Sequence, residues 1–190
     1  MRYCSVNTKV LAMEARGREI PNNLVKDGTG LMSFIHHPPA KKLVSFMINS
    51  IETNEIGLEY YLTLWKHISM LDKLSQAIMK KIVGTEIDLQ NILWIYRLKK
   101  FYGIYGESTF GHLIPISHRL TRETLLSLAN LKTVSELMTK VNQTKYGNIF
   151  EDFSHGEVKI YNTIYDLYKR ETRKNNNSIA TVCRYLYSFK

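Results

Sequence analysis

The chain has 190 residues, of which 44% are hydrophobic and 23% are charged, proportions that indicate a globular protein and exclude a disordered one. It contains no apolar run of about 18 residues, the length that a membrane-spanning helix needs, and its first residues lack the apolar stretch of a secretory signal, so we expect a cytoplasmic protein. The net charge of +9 favours an acidic partner, whether nucleic acid, anionic lipid or an acidic protein surface.

The N-terminal region is predicted to hold one helix, a loop and a second, modest helix. The apolar residues from Val6 to Met13 recur at helical spacing, and Gly17 and Pro21 end that pattern. Residues 22–42 contain glycines and two adjacent prolines, which indicate a loop. The modest helix is expected over residues 41–50.

The longest predicted helix runs from about Glu59 to Val83. Its apolar residues recur three or four positions apart, or at the sum of the two: Tyr61, Leu64, Ile68, Leu71, Ile78 and Ile82. Gly84 is expected to interrupt this helix, and Thr85 to cap a second one that Gly103 ends in a left-handed conformation. The two helices are then expected to pack as an antiparallel hairpin.

The second helix of this hairpin carries polar residues beside its apolar face. Asp88 and Asn91 lie three residues apart, at positions where a plain core helix would carry leucine or alanine. A buried carboxylate without a partner is very costly, so Asp88 should meet Arg97, another cation or backbone donors of a neighbouring helix. These polar groups either fix the register of packed helices or line a polar interior where another protein docks.

Helical signals continue to the end of the chain. Thr121 precedes a short helix, Thr133 and Glu136 form a capping box, and a further helix is expected over residues 158–173. Ser178 should cap a last helix whose apolar stripe is Ile179, Val182, Cys183, Leu186 and Phe189. Because no partner helix follows that stripe, we expect a shortened or truncated protein. No convincing strand pattern occurs.

Several segments together resemble the C/d subunit family of V-type ATPases. The resemblance is carried by GTEIDLQNILWIYRLK from Gly84, by YYLTLWK from Tyr60, by HLIPISHRLT from His112, by TKYG from Thr144 and by SIATVCRYLY from Ser178. The opening SVNTKVLAMEARGR is similar to the first helix of the family. In order and spacing the likeness covers most of the chain.

Patterns that indicate catalysis or cofactor binding are weak in the sequence. His36 and His37 are adjacent but have no further ligand at suitable spacing, which favours a loop over a metal site. There is no phosphate-binding Gly-x-x-x-x-Gly-Lys-Ser/Thr run and no dinucleotide fingerprint. Glu86 and Asp88, two apart on a helix, point about 200° away from each other and cannot flank a substrate. We therefore predict no enzyme activity, no cofactor and no metal.

The resemblance implies a fold and a function. The fold is expected to be all-α, with helical hairpins packed as two lobes and part of a third, at residues 1–57, 58–147 and 148–190. The implied function is that of a non-catalytic coupling subunit of a proton- or sodium-translocating rotary ATPase. It would sit on the cytoplasmic face of the membrane ring and bind that ring and the rotor shaft.

This hypothesis comes with interface candidates and an alternative. The candidate structural or interface residues are Glu86, Asp88, Asn91, Trp94, Tyr96, Arg97 and Arg119. Aromatic residues would act as anchors there, although most aromatic residues belong to a core. The alternative is a basic helical adaptor that binds nucleic acid or has a regulatory role, although no nucleic-acid-binding motif accompanies the lysines and nucleic acid is not the expected partner.

Overall fold

The computed structural model describes residues 38–53, 57–150, 153–175 and 178–188. Within these ranges the regular structure is helical and no strand occurs, so the all-α prediction is confirmed. The chain divides into two compact units, one of Met1–Met79 with Tyr168–Lys190 and one of Lys80–Leu167. The predicted N-terminal helix and the histidine pair lie outside the described residues. The lobe boundaries at residues 57 and 147 stay a prediction.

The described ranges contain seven α-helices and two short helices of other types. The α-helices are α1 (Pro38–Thr53), α2 (Leu58–Ser69), α3 (Lys73–Arg97), α4 (Arg122–Asn130), α5 (Val134–Asn142), α6 (Gly156–Lys174) and α7 (Ile179–Tyr187). A π-helical turn, Leu98–Tyr102, continues α3, and a 3-10 helix spans Gly106–His112. The predicted helix at residues 41–50 thus begins earlier, with two prolines in its first turn, where a missing N–H has no cost.

In the first unit, α1 packs against α2 and α7. The ring of Phe46 stacks on that of Tyr60, with 5.5 Å between their centroids. The apolar residues of α7 are buried, and the Tyr187 ring lies 5.4 Å from that of Tyr168. The expectation that the apolar stripe of the last helix has no partner is therefore wrong for its described residues, and Phe189, the last of the stripe, lies outside them. Ser178 does precede this helix, but its hydroxyl makes no capping hydrogen bond.

The long helix predicted from Glu59 to Val83 is wrong in its extent, because α2 ends at Ser69 and α3 begins at Lys73. The cause is Asp72, whose Oδ1 accepts the backbone N–H groups of Leu74 at 3.1 Å and Ser75 at 3.0 Å. This side chain satisfies donors that the first turn of a helix leaves free. The predicted stripe is buried at all six of its positions.

The predicted interruption at Gly84, and with it the hairpin, is also wrong: α3 runs through this residue without a break. Thr85 does not cap a helix but donates its hydroxyl to the carbonyl of Lys81, one turn earlier, at 2.7 Å. Position 84 has no room for a side chain, since a Cβ there would lie 2.5 Å from Cγ of His118. A glycine inside a helix can thus mark close packing rather than an end.

We expect Gly84→Ala to lower the free energy of unfolding by about 1–3 kcal/mol, the usual cost of overpacking, although alanine favours a helix by about 1 kcal/mol. The reason is the clash with His118, which lies against a buried helix. Denaturant unfolding would measure the change. Gly111→Ala is the matched control, because a Cβ there meets nothing within 4 Å. Equal effects of the two substitutions would contradict the packing argument.

In the second unit, the part of α3 from Ile82 to Leu93 is buried on all sides, since every residue in it except Gln90 is buried. Gly103 follows the π-helical turn in the left-handed conformation, at φ 63°, and its N–H bonds to the carbonyl of Leu98, which confirms its predicted role. The capping box of α5 is confirmed as well, and the short helix expected after Thr121 is α4, whose first turn the Thr121 hydroxyl caps. Between the 3-10 helix and α4, residues 113–120 contain no helix.

Candidate functional site

Asp88 lies in the interior of the second unit and holds segment 113–120 against α3. Its side chain is fully buried, and one oxygen, Oδ2, accepts three hydrogen bonds. The donors are the backbone N–H of Arg119 at 2.8 Å, the backbone N–H of Leu120 at 3.2 Å and the hydroxyl of Tyr146 at 2.7 Å. The other oxygen, Oδ1, has no hydrogen-bond partner among the described residues. Of the partners expected for Asp88, backbone donors are thus the ones found, and they come from a non-helical segment.

Asn91 holds the same segment at a second point, one turn further along α3. Its amide nitrogen donates to the carbonyl of Ile114 at 3.0 Å, and its carbonyl oxygen accepts the N–H of Ile114 at 2.8 Å. This side chain is fully buried too. The reciprocal pair gives Ile114 the backbone partners that a neighbouring strand would otherwise supply. An asparagine carries both a donor and an acceptor, which is what this exchange requires.

His118 completes the contact between the segment and α3 by packing on Gly84. Burial lowers the pKa of His118, and the nearby Asp88 carboxylate opposes that shift only in part. Its Nε2 is buried without a hydrogen-bond partner in the described ranges. Burial thus favours the neutral form of the imidazole, which serves as an element of packing. In the sequence His118 stands as an isolated histidine, and the only signal for its position is the glycine inside α3.

Burial raises the pKa of Tyr146 well above its ordinary value of 10, and the Asp88 charge and hydrogen bond raise it further. Above pH 10 the unfolded chain loses this proton while the folded protein keeps it, so the free energy of unfolding falls as the pH rises through that range. Tyr146→Phe should remove this part of the alkaline loss and also cost about 1–3 kcal/mol at pH 7. Unfolding curves from pH 7 to 11 would measure both. An unchanged alkaline slope would contradict the assignment.

The C-terminal end of α3 is partly exposed, unlike the buried part from Ile82 to Leu93. Arg97 forms an ion pair with Glu157 of α6 at 2.8 Å, and its guanidinium lies 5.7 Å from the ring of Trp94. The two charged side chains are 32% and 67% exposed. Arg97 is therefore not the partner of Asp88. Tyr96 is buried and stacks on Phe153 with 4.1 Å between the ring centroids.

The seven predicted residues do not form one surface. Glu86, Asp88 and Asn91 are buried in the interior, and Tyr96 is buried near the end of the helix. Trp94, which is 40% exposed, reaches the surface near Arg97. Arg119 takes part through its backbone N–H, while its side chain is exposed. Of the seven residues, only Asp88 and Asn91 hold segment 113–120 through their side chains, and their buried position favours the structural explanation for these two.

Lys99 is a buried residue whose role the sequence did not reveal. Its ammonium donates to the carbonyls of Ala129 and Leu131, at the C-terminal end of α4, and lies 4.8 Å from the ring of Tyr105. A cation at this end of a helix is favourable, because the carbonyls there are unpaired and the helix dipole is negative. Burial lowers the pKa of Lys99, and the charge of Glu136 opposes this. The lysine thus joins the end of α3 to α4.

Two further features concern metal binding and membrane insertion. Among the described residues, no group of three or more histidine, cysteine, aspartate or glutamate side chains is placed to hold a metal ion. In the same part of the chain, no helix combines the length and the apolar character needed to cross a bilayer.

Residues 18–190 match the family model described as ATP synthase (C/AC39) subunit. The chain belongs to this family. The resemblance of the quoted segments to the C/d subunits of V-type ATPases is thereby confirmed, and the helical structure agrees with it. Ion transport is the process in which the family takes part.

Two curated relatives are each described as the C subunit of an A-type ATP synthase. The protein of Methanocaldococcus jannaschii is 27% identical over 158 residues, which cover 79% of this chain and 39% of the relative. The protein of Thermococcus gammatolerans is 29% identical over 105 residues, or 55% of this chain and 27% of the relative. The chain thus spans less than half the length of the curated relatives it matches. No solved structure matches it significantly.

Proposed function

We propose that this chain is a non-catalytic coupling subunit of a rotary V-type or A-type ATPase that translocates protons or sodium ions. In this role it lies on the cytoplasmic face of the membrane ring and links that ring to the rotor shaft. Membership of the ATP synthase (C/AC39) subunit family supports the assignment of this chain to such an ATPase. The observation that carries the coupling role is the double attachment of segment 113–120 to α3 through Asp88 and Asn91.

A coupling subunit transmits torque, and this requires a body that does not deform. Hydrogen bonds to a charged group contribute about 1.5–3 kcal/mol each to the net stability, and neutral ones about 0.5–1.5 kcal/mol. The carboxylate of Asp88 and the amide of Asn91 together make five hydrogen bonds. Four of them join segment 113–120 and one joins Tyr146, and neither the segment nor the tyrosine is part of a helix. These bonds stiffen a long non-helical connection of the second unit.

A coupling subunit also needs a docking surface, and the end of α3 offers one. We define the aromatic end as Trp94, Arg97, Lys100, Phe101 and Tyr102. Its three aromatic residues are 40%, 65% and 69% exposed. The ammonium of Lys100 lies 5.4 Å from the Phe101 ring. Exposed aromatic residues beside cations have the composition of interface hot spots.

The test is copurification with the shaft and ring subunits encoded by the same genome. We expect the wild-type protein to bind at least one of them, and the double variant Trp94→Ala with Phe101→Ala to lose most of that binding. Leu74→Ala is the control, because Leu74 is 58% exposed but lies outside the aromatic end. A wild-type protein that binds neither of them would refute the coupling role. A double variant that binds as well as wild type would refute only the docking surface.

The same preparation tests the nucleic-acid alternative. A basic adaptor would bind double-stranded DNA or RNA with an affinity that falls steeply as salt rises, because each neutralised phosphate releases counterions. We expect weak retention without such a steep dependence. Tight, salt-sensitive binding to nucleic acid, together with no binding to shaft or ring, would favour the alternative.

A further inference from the structure

A pocket of about 120 Å³ opens in the second unit, apart from the aromatic end. The 3-10 helix, segment 113–120 and α4 form its walls, which are mainly apolar and include Phe110, Ile114, Ile116 and Leu125. The polar groups at the pocket are Ser117 and Arg122. Asn91 fixes the backbone of Ile114, so the wall is held in place before anything binds.

The volume of the pocket limits what it can receive. Sites for cofactors and drug-sized ligands occupy about 300–1,000 Å³, well above the volume found here. An apolar cavity of about 150 Å³ is sufficient for one benzene molecule. The pocket is therefore of the size of a single branched aliphatic side chain. Such a group binds with useful affinity only when a larger partner presents it, as an anchor residue does in a protein interface.

The positive charge of Arg122 beside the pocket indicates which residue of the partner should lie next to that aliphatic side chain. The guanidinium of Arg122 lies 5.4 Å from the ring of Phe110, and within the described ranges it makes no hydrogen bond or ion pair. Glu123 is the next residue in the chain, and its exposed carboxyl has a lowered pKa. A hydrogen bond from Thr121 is the largest cause of that lowering, and the charge of Arg122 is the smallest cause. An arginine held over an aromatic ring beside an apolar pocket is suited to a carboxylate.

We propose that this pocket binds one leucine-sized side chain of a partner protein, in a segment where an adjacent carboxylate pairs with Arg122. The inference goes beyond the coupling role, which assigns nothing to this pocket. It also gives the positive chain an acidic partner of defined form: an aliphatic residue next to aspartate or glutamate.

Methyl-resolved NMR with three blocked dipeptides tests this directly. The probes are N-acetyl-Leu-Glu-amide, N-acetyl-Leu-Lys-amide and N-acetyl-Ala-Glu-amide, added to protein with labelled isoleucine and leucine methyl groups. We expect Leu-Glu to shift the methyl signals of Ile114, Ile116 and Leu125 in a saturable way, with a dissociation constant of roughly millimolar order, as befits a fragment. Leu-Lys and Ala-Glu should each bind roughly five-fold more weakly, because each lacks one of the two contacts.

Charge reversal at Arg122 supplies the decisive variant. Arg122 is exposed in the first turn of α4, where a glutamate favours the helix, so Arg122→Glu should fold. It should reverse the preference and bind Leu-Lys better than Leu-Glu, whereas Lys140→Glu, an equal change of charge on exposed α5, should leave the wild-type order. No saturable shifts at the three residues, or an unchanged order in Arg122→Glu, would overturn the proposal. Copurification with shaft and ring is measured separately, so that failure of the coupling role is recognised by itself.

Discussion

Asp88→Ala is expected to lower the free energy of unfolding by about 3–5 kcal/mol, one of the largest effects of any single substitution in the second unit. The alanine would leave three donors without an acceptor: two backbone N–H groups of segment 113–120 and the hydroxyl of Tyr146. Each buried donor left in this way costs about 1–3 kcal/mol. Denaturant unfolding gives the magnitude. Glu157→Gln is the control, since its carboxylate is 67% exposed and should contribute less than about 1 kcal/mol.

A second measurement reports where the Asp88→Ala protein has loosened. Arg119 is exposed and its N–H is one of the donors to Asp88, so the bond that follows it becomes a trypsin site once the segment leaves α3. We expect cleavage after Arg119 to accelerate by at least about ten-fold, in line with local opening that has become less costly. Asp88→Asn, which keeps an acceptor, should fall between alanine and wild type. A stable alanine variant that resists trypsin at Arg119 would refute the role assigned to the carboxylate.

Asn91→Asp is expected to be at least as damaging as removal of the side chain. An aspartate keeps an acceptor for the N–H of Ile114 but places a second oxygen against the carbonyl of Ile114, where the asparagine donates at 3.0 Å. The site is fully buried, so the new charge would have neither water nor a cation to stabilise it. We expect a loss of about 3–5 kcal/mol near pH 7, and about 2–3 kcal/mol for Asn91→Ala.

The pH dependence distinguishes this explanation from simple loss of packing. The new aspartate should be destabilising chiefly as a carboxylate, so its folded pKa should lie above the ordinary value and stability should recover as the pH falls through that folded pKa. Asn91→Ala has no such group and should show no recovery. If both variants had the same stability profile between pH 4 and 7, the reciprocal hydrogen bonds would not explain the asparagine. A double-mutant cycle that combines Asn91→Ala with Asp88→Ala would measure the coupling free energy between the two attachments.

Much of the helical structure could be predicted from local chemistry. The capping box of α5 could be predicted because Thr133 and Glu136, which form it, lie only three residues apart. The left-handed turn at Gly103 was visible for the same reason. The burial of the stripe in α2 and α3 followed from its spacing alone. Such features depend on neighbours in the chain, which the sequence shows directly.

What could not be predicted depends on residues far apart in the chain. Gly84 has the pattern of a helix end until His118, which is distant in the sequence, is placed against it. Asp88 and Asn91 are unusual residues for a core helix, but nothing local shows that their partners are the backbone groups of Ile114 and Leu120. The cap at Asp72 is not evident from the sequence, because the apolar stripe continues across the break between α2 and α3. Long-range contacts, rather than propensity, decide these positions.

The π-helical turn at Leu98–Tyr102 carries a consequence for natural variants of this chain. Such a turn accommodates one residue more than α-helical winding over the same rise. Removal of Leu98 would therefore restore α-helical winding and leave the rest of α3 in place, but Lys99 would rotate about the helix axis and its ammonium would leave the carbonyls of Ala129 and Leu131. Relatives that lack this extra residue should accordingly have no lysine at the equivalent position, and the end of their α4 should be sealed by some other donor.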